Sequence, residues 1–371
     1  MSTPKHAIPR HLLIPRWLLS LAIGAALCLP PPAEARREML APADKARLQQ
    51  IARVYVETLA LTDSGPADAT SMARAVEVRL ADIGFQAGHQ ASDPHDVTLK
   101  VKCEEHKTWE GTTTSGGDAD SVGGIARLWR GPACQLSYRM EGLKSDWRHE
   151  VRGDLPKNNG PRAPGSASPG NAALAVLTDH LTQDPFPLLL AAEWGHASRL
   201  LSILDRPDTD AAQKTMVITL LGGMAAPDAM PALARAVNDP HLDVANAAAI
   251  AIGAIGHQDG IPLLLSLFKQ GRPELHLAAA QGLGRLAPLY PQTDLVSELV
   301  AALPQSPIPV QVEIVRALAT TADRRSYQAI RQLNREVQAR SRLDASPELQ
   351  TLKNALGVAI DQFTNTHGSE D

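Results

Sequence analysis

Four side chains able to ligate a soft divalent metal, His89, His95, Cys103 and His106, fall within one short stretch of the chain. Imidazole and thiolate are the ligands of tetrahedral zinc, but such sites use short, regular ligand pairs, and these intervals are irregular. His257 and Asp259 sit two residues apart with no nucleophile beside them, where an Asp at a helix start serves more simply as its cap. Ser, His and Asp all occur, yet no Gly-x-Ser-x-Gly elbow presents a serine for acyl transfer. "GLGRLA", Gly282–Ala287, fits the Gly-x-Gly-x-x-Ala of dinucleotide loops, but it lies inside an expected helix and follows no strand. These patterns assign no catalytic residue, no metal site and no cofactor.

Cys103 has a competing use that depends on compartment. Lys5, Arg10 and Arg16 precede an apolar run from Trp17 to Leu29, and "PPPAEA" then places Ala33 and Ala35 as a small-x-small cleavage signal before Arg36. The run is too short for the roughly 20 residues that span a bilayer, so residues 1–35 are expected to be a secretory signal peptide. The chain is then exported, and periplasmic if the host is Gram-negative; lipidation of Cys28 is the alternative, against which Leu27 stands where a small residue is usual. After cleavage Cys103 and Cys134 are the remaining cysteines, and in an oxidising compartment an even pair is expected to form a disulfide.

The charge balance argues about partners. The full chain has 36 Lys and Arg against 40 Asp and Glu, a net charge of −4. The leader carries three of these bases and one acid, so the remainder is more acidic still, which disfavours nucleic acid as a partner. Hydrophobic residues make up 44% but aromatics only 4%, a composition suited to closely packed Ala/Leu helices.

The elements divide at residues 153–171, "GDLPKNNGPRAPGSASPGN", a Gly/Pro/Ser-rich stretch with little to bury, read as a linker. Upstream, residues 36–152 form a small α/β domain of order β-α-β-β-β. "RVYVETLAL" is the first strand; Met72, Val76, Leu80 and Ile83 recur at helical spacing and stop at Gly84; "DVTLKVKCEE", "CQLSYRMEG" and "DWRHEVRG" alternate as antiparallel strands. A Cys103–Cys134 bridge would tie the second strand to the start of the third. Trp109 and Trp129 flank the intervening "EGTTTSGGDADSVGGIARLWRG", and either pack on the sheet or serve a binding loop.

Downstream the chain repeats. "LGGMAAPDAMPAL" from Leu221 aligns without a gap on "IGAIGHQDGIPLL" from Ile252, setting Gly222 on Gly253, Asp228 on Asp259 and Pro231 on Pro262. Each unit reads as a helix with small residues that permit close approach, a short Asp-containing turn, and a Leu-rich second helix opened by Pro, where the missing N–H is harmless. Neither helix buries its apolar face alone, so the units must stack as an α-solenoid.

"DPHLDVANAAAIAIGAIGHQDGIPLLLSLF" resembles the short bacterial HEAT repeat, of the phycobilin-lyase type: Asp-x-x-x-Val, an Ala-rich helix, an Asp turn and Pro-Leu-Leu. The resemblance runs over residues 184–340, with Ala245 where such repeats carry Arg. The strand-helix-"ADIGF"-"DVTLKV" order resembles, more distantly, small envelope lipoprotein domains. The expected fold class is thus α+β: a small N-terminal α/β domain followed by an all-α HEAT-like α-solenoid over residues 172–364, with a polar tail at 365–371.

Charge is also graded along the repeats. Asp205, Asp208, Asp210, Asp228, Asp239 and Asp243 lie early, and Arg316, Arg324, Arg325, Arg331, Arg335, Arg340 and Arg342 lie late. The plain account is helix-start caps and a solvated end helix; the functional one is that Arg324, Arg325, Arg331 and Arg335 dock an acidic protein partner. Together these readings predict an exported, non-catalytic scaffold binding a protein partner in the cell envelope, with no transmembrane span after leader cleavage. The family resemblance leaves open a lyase or hydroxylase holding a chromophore or iron, and the loop 109–129 leaves open a carbohydrate- or lipid-binding protein.

Overall fold

The computed structural model describes residues 40–109, 129–143, 145–153, 168–291, 293–321, 323–342 and 346–367. The expected leader and most of the expected linker lie outside them. Ala41–Asp371 forms one compact unit, in which a six-stranded sheet is followed by helices.

The long N-terminal elements keep the expected order: β1 (Arg53–Thr62), α2 (Thr70–Asp82), β4 (Val97–Trp109), β5 (Trp129–Arg139) and β6 (Arg148–Arg152). A leading helix α1 (Pro42–Gln49) and two short strands, β2 (Gly65–Ala67) and β3 (Gln86–Gly88), are additions that pattern alone did not show. β1 and β4 pair in parallel because α2 crosses over between them, and β4, β5 and β6 continue antiparallel. On one face of the sheet Val54, Val56, Leu99, Val101, Leu136, Tyr138 and Val151 are buried. Between them in sequence Glu57, Lys100, Lys102 and Glu150 point the other way, the alternation of a sheet covered on one side only.

The covered face lies under α2, which buries Met72, Ala73, Val76 and Leu80, and α3 (Pro169–Gln183), which buries Leu174, Leu177 and Leu181. Ser168 caps α3 by accepting the Asn171 N–H at 3.2 Å, so the end of the expected linker range is the start of a helix.

Pairs of helices follow: α4 (Phe186–Trp194) with α5 (Ala197–Leu204), α6 (Ala211–Gly223) with α7 (Met230–Ala236), α8 (Leu242–Ile255) with α9 (Gly260–Gln270), α10 (His276–Leu286) with α11 (Leu295–Ala302), α12 (Ile308–Ala319) with α13 (Arg324–Arg340), and then α14 (Pro347–His367). The stretch 247–267, which carries the single formal charge of Asp259, is thus one helix, a turn and the start of its partner. Gly256 closes α8 in the left-handed conformation at φ 73°, a position where a side chain would be strained.

α6, α8, α10, α12 and α14 stack directly on one another. Their contacts are made by residues with almost no side chain. A Cβ on Gly253 would lie 2.3 Å from the Gly282 Cα, one on Gly222 would lie 2.9 Å from the Ala251 Cβ, and one on Gly284 would lie 3.1 Å from the Ala317 Cβ. α8 therefore buries Val244, Ala245, Ala248, Ala249, Ala251 and Ile252 between two neighbours. Ala245 is fully buried, which leaves no room for the Arg usual at that place in the repeat.

The sheet layer meets the helices through an aromatic junction. Trp194, at the end of α4, is fully buried and stands edge-on to Phe85 and Tyr138, with ring centroids 5.2 and 5.6 Å away. The Arg199 guanidinium lies 4.1 Å from the Phe85 centroid and donates to the Ile83 carbonyl at 3.1 Å. Arg206 donates to the Asp82 carbonyl and Arg79 to that of Asp184. Tyr138 completes the contact by donating to Glu193 at 3.1 Å.

Two measurements test these accounts. Gly253→Ala is expected to cost about 1–3 kcal/mol through overpacking, whereas Gly357→Ala, on α14 with nothing within 4 Å of the added atom, should gain about 0.5–1 kcal/mol; urea unfolding followed by circular dichroism reads both. At the other end, burial pushes the Asp96 carboxyl up, but the Arg53 guanidinium and the N–H groups of Ala52 and Arg53 outweigh it and hold the group at about 2. A carboxyl whose pKa falls on folding contributes stability above its unfolded value of roughly 4, and this is lost as pH drops from there toward 2. Asp96→Asn should lower stability at pH 7 by about 1–2 kcal/mol and converge on the parent near pH 2.

Candidate interaction surface

α13 begins at Asp323, whose carboxylate accepts the Arg325 N–H at 2.8 Å. Ser326, Ile330, Leu333 and Val337 are its buried residues. At about 100° per residue, that inward stripe leaves Arg324, Gln328, Arg331, Arg335 and Gln338 in line on the opposite side, and all five are exposed. The Arg331 guanidinium lies 5.5 Å from the Tyr327 ring centroid, and Tyr327 packs against Phe363 of α14 at 5.4 Å. The ring thus holds one cation of the row in place.

Of the four arginines expected to dock a partner, Arg324, Arg331 and Arg335 share this face and Arg325 does not. Arg325 turns back to Asp323 at 2.7 Å, Asp294 at 3.2 Å and Ser297 at 2.6 Å. Its hydrogen bonds hold the Asp323 carboxyl below its ordinary range. Arg325–Asp294 is one of a series of ties between successive units, with Arg235–Asp205 at 2.9 Å and Lys269–Glu298 at 2.7 Å. The early Asp residues accordingly divide: Asp210 caps α6 through the Gln213 N–H, while Asp205 ties units together and Asp239 pairs with Lys214. Asp259 occupies an N-cap position without a side-chain cap bond, so the capping expected of it is not made.

Where the row begins, a cleft of about 540 Å³ opens between the α10–α11 and α12–α13 connections, lined by Pro288, Pro291, Val296, Thr320 and Arg324. Pattern alone did not show this cleft, because its walls come from turns of two units.

The other expected residues are placed as follows. Cys103 and Cys134 are bonded as expected, but Cys134 lies within β5 and faces Cys103 across the ladder, Cα to Cα 3.9 Å, with both residues fully buried. Trp109 and Trp129 are register partners at the end of the same ladder; the loop between them lies outside the described residues. His89, His95, Cys103 and His106 do not converge. His89 pairs with Glu77, His95 with the Asp93 carbonyl, and His106 with Asp63 at 2.9 Å.

One set not anticipated does converge: ligand atoms of Asp63, Glu105 and His106 lie within 4.8 Å of one another. Asp63 is distant in sequence, so no local spacing could have shown it. The buried Glu105 already accepts the Asp63 N–H at 2.9 Å and packs against Gly170 at the start of α3, where a Cβ would lie 2.7 Å from its oxygen. These neighbours favour an anion and explain the carboxylate as a structural brace.

The stacked helix pairs define an α-solenoid joined to an α/β layer. Residues 197–284 match the family of HEAT repeats, within the stack of paired helices. Among solved structures it is similar to human deoxyhypusine hydroxylase in complex with glycerol, at 16% identity over 54% of this chain and 86% of that one, with a TM-score of 0.24. No curated protein sequence matches the chain.

The burial of the bridge sets a further expectation. Maleimide should leave both cysteines unlabelled in the native chain even with mild reductant, and label both after unfolding and reduction. The double variant Cys103→Ala, Cys134→Ala should lose about 3 kcal/mol.

Proposed function

We propose that the protein is an exported, non-catalytic scaffold that binds an acidic protein partner through its HEAT-repeat array, periplasmic in a Gram-negative host. One observation carries this reading: several charged residues of the array tie units together, whereas the outer face of α13 presents a row of three arginines, Arg324, Arg331 and Arg335, with no carboxylate partner among the described residues. Cations left unpaired on a rigid helix are suited to carboxylates supplied from outside. The family supports a scaffold role, since repeat arrays offer long surfaces for proteins.

Export is tested by N-terminal sequencing of the chain from the host, which should begin at Arg36. Binding is tested by in-cell crosslinking and mass spectrometry: a recurrent protein crosslinked within residues 208–342 supports the scaffold, and recovery of background proteins alone overturns it.

A further inference from the structure

We infer that the partner engages α13 with a short acidic segment that lies along Arg324, Arg331 and Arg335 and ends in an apolar side chain seated in the cleft beside Arg324. The inference rests on the scaffold reading above and specifies the chemistry of its ligand.

The row has the dimensions of a peptide site. Arg324 and Arg335 are eleven residues apart on one helix face, about 16 Å at 1.5 Å per residue, the length of roughly five residues of extended chain. The cations are separated by Gln328 and followed by Gln338, neutral side chains that hydrogen-bond carboxylates and peptide groups equally well. A guanidinium grips a carboxylate through two parallel N–H donors, and the contact of Arg331 with Tyr327 reduces the freedom it loses on binding.

The surroundings select a peptide over a continuous polyanion. Glu336 follows Arg335 directly and is exposed, and Asp323 and Asp294 stand beside the start of the row. A phosphate backbone, charged along its whole length, would meet these acids; a peptide with three spaced carboxylates need not. The net charge of −4 acts in the same direction. At the Arg324 end, the cleft of about 540 Å³ is walled by Pro288, Pro291 and Val296 on one side and by Thr320, Thr321 and Asp323 on the other, and Leu289 beside it is 57% exposed. This is room for one aliphatic or aromatic side chain, and a cleft adjoining a charged row lets an apolar anchor add affinity that salt does not screen.

The test uses the purified chain from Arg36 onward and fluorescence anisotropy with fluorescein-labelled 12-residue peptides: one with three Glu at spaced positions and a terminal Leu, one with Ala for that Leu, and one with Gln for every Glu. The first should bind, the second several-fold more weakly, and the third not measurably; raising NaCl from 50 to 300 mM should weaken the first at least fivefold. Arg331→Glu with Arg335→Glu should weaken it tenfold or more, and Arg331→Gln with Arg335→Gln by an intermediate factor, while Lys353→Gln on α14 leaves it unchanged; circular dichroism checks that each variant is folded. Unchanged binding by the folded charge-reversed variant overturns the inference, as does tighter binding of a single-stranded oligonucleotide of equal charge. If these peptides do not bind but crosslinking still finds a protein on residues 208–342, the inference fails and the scaffold reading stands. If crosslinking also finds none, both fail.

Discussion

The repeat array depends on how closely the first helices of its units approach. Gly253 and Gly282 meet backbone to backbone, and Gly222, Ala251, Gly284 and Ala317 continue the seam. At these points a helix offers its partner main chain rather than side chain, so dispersion contacts are made over the whole cylinder surface and a single methyl is felt. The composition follows from this constraint: aliphatic residues carry the core and aromatics are few. Larger residues flank this seam on both helices of a unit: α8 buries Val244 and Ile252, and α9 buries Leu264 and Phe268.

Aromatic residues gather instead where the array meets the sheet. Phe85, Tyr138 and Trp194 come from a turn, a strand and a helix end, and they fill a space that the regular seam does not reach. Arg199 and Arg206 then satisfy carbonyls left at the end of α2. Gly84 ends α2 at φ +85°, a left-handed conformation in which a side chain would be strained. The α/β layer thus works as the cap of one end of the array, the end at which a stack of repeats must cover its first apolar face. α14 closes the other end with a polar outer surface.

Electrostatics in the array serve two purposes that composition does not separate. Arg235 and Arg325 each reach an acid about one unit earlier and Lys269 an acid about one unit later, so they tie neighbouring units; such exposed pairs contribute little stability individually but hold the helices in register. Arg324, Arg331 and Arg335 differ from them only in the side of α13 on which they fall. Adjacent in sequence and both exposed, Arg324 and Arg325 therefore differ in partners: Arg325 is held by Asp294 and Asp323, and Arg324 has no carboxylate partner among the described residues.

Sequence alone was sufficient for whatever is written as local period. The 31-residue repeat, the turn at His257–Asp259, the strand alternation of 97–103 and the helix of Met72, Val76 and Leu80 all follow from which side chains must be buried at periods of 2 and 3.6. The Cys103–Cys134 pairing was legible from the even count of cysteines that remain beyond the expected leader. What tertiary structure alone decided was convergence: that Cys134 sits within a strand opposite Cys103, that Asp63 meets Glu105 and His106, that Trp194 reaches the sheet, and that Arg325 is consumed by Asp294 while Arg331 rests on Tyr327. These depend on the relative placement of whole elements, and no pattern within one element records where its neighbour will lie.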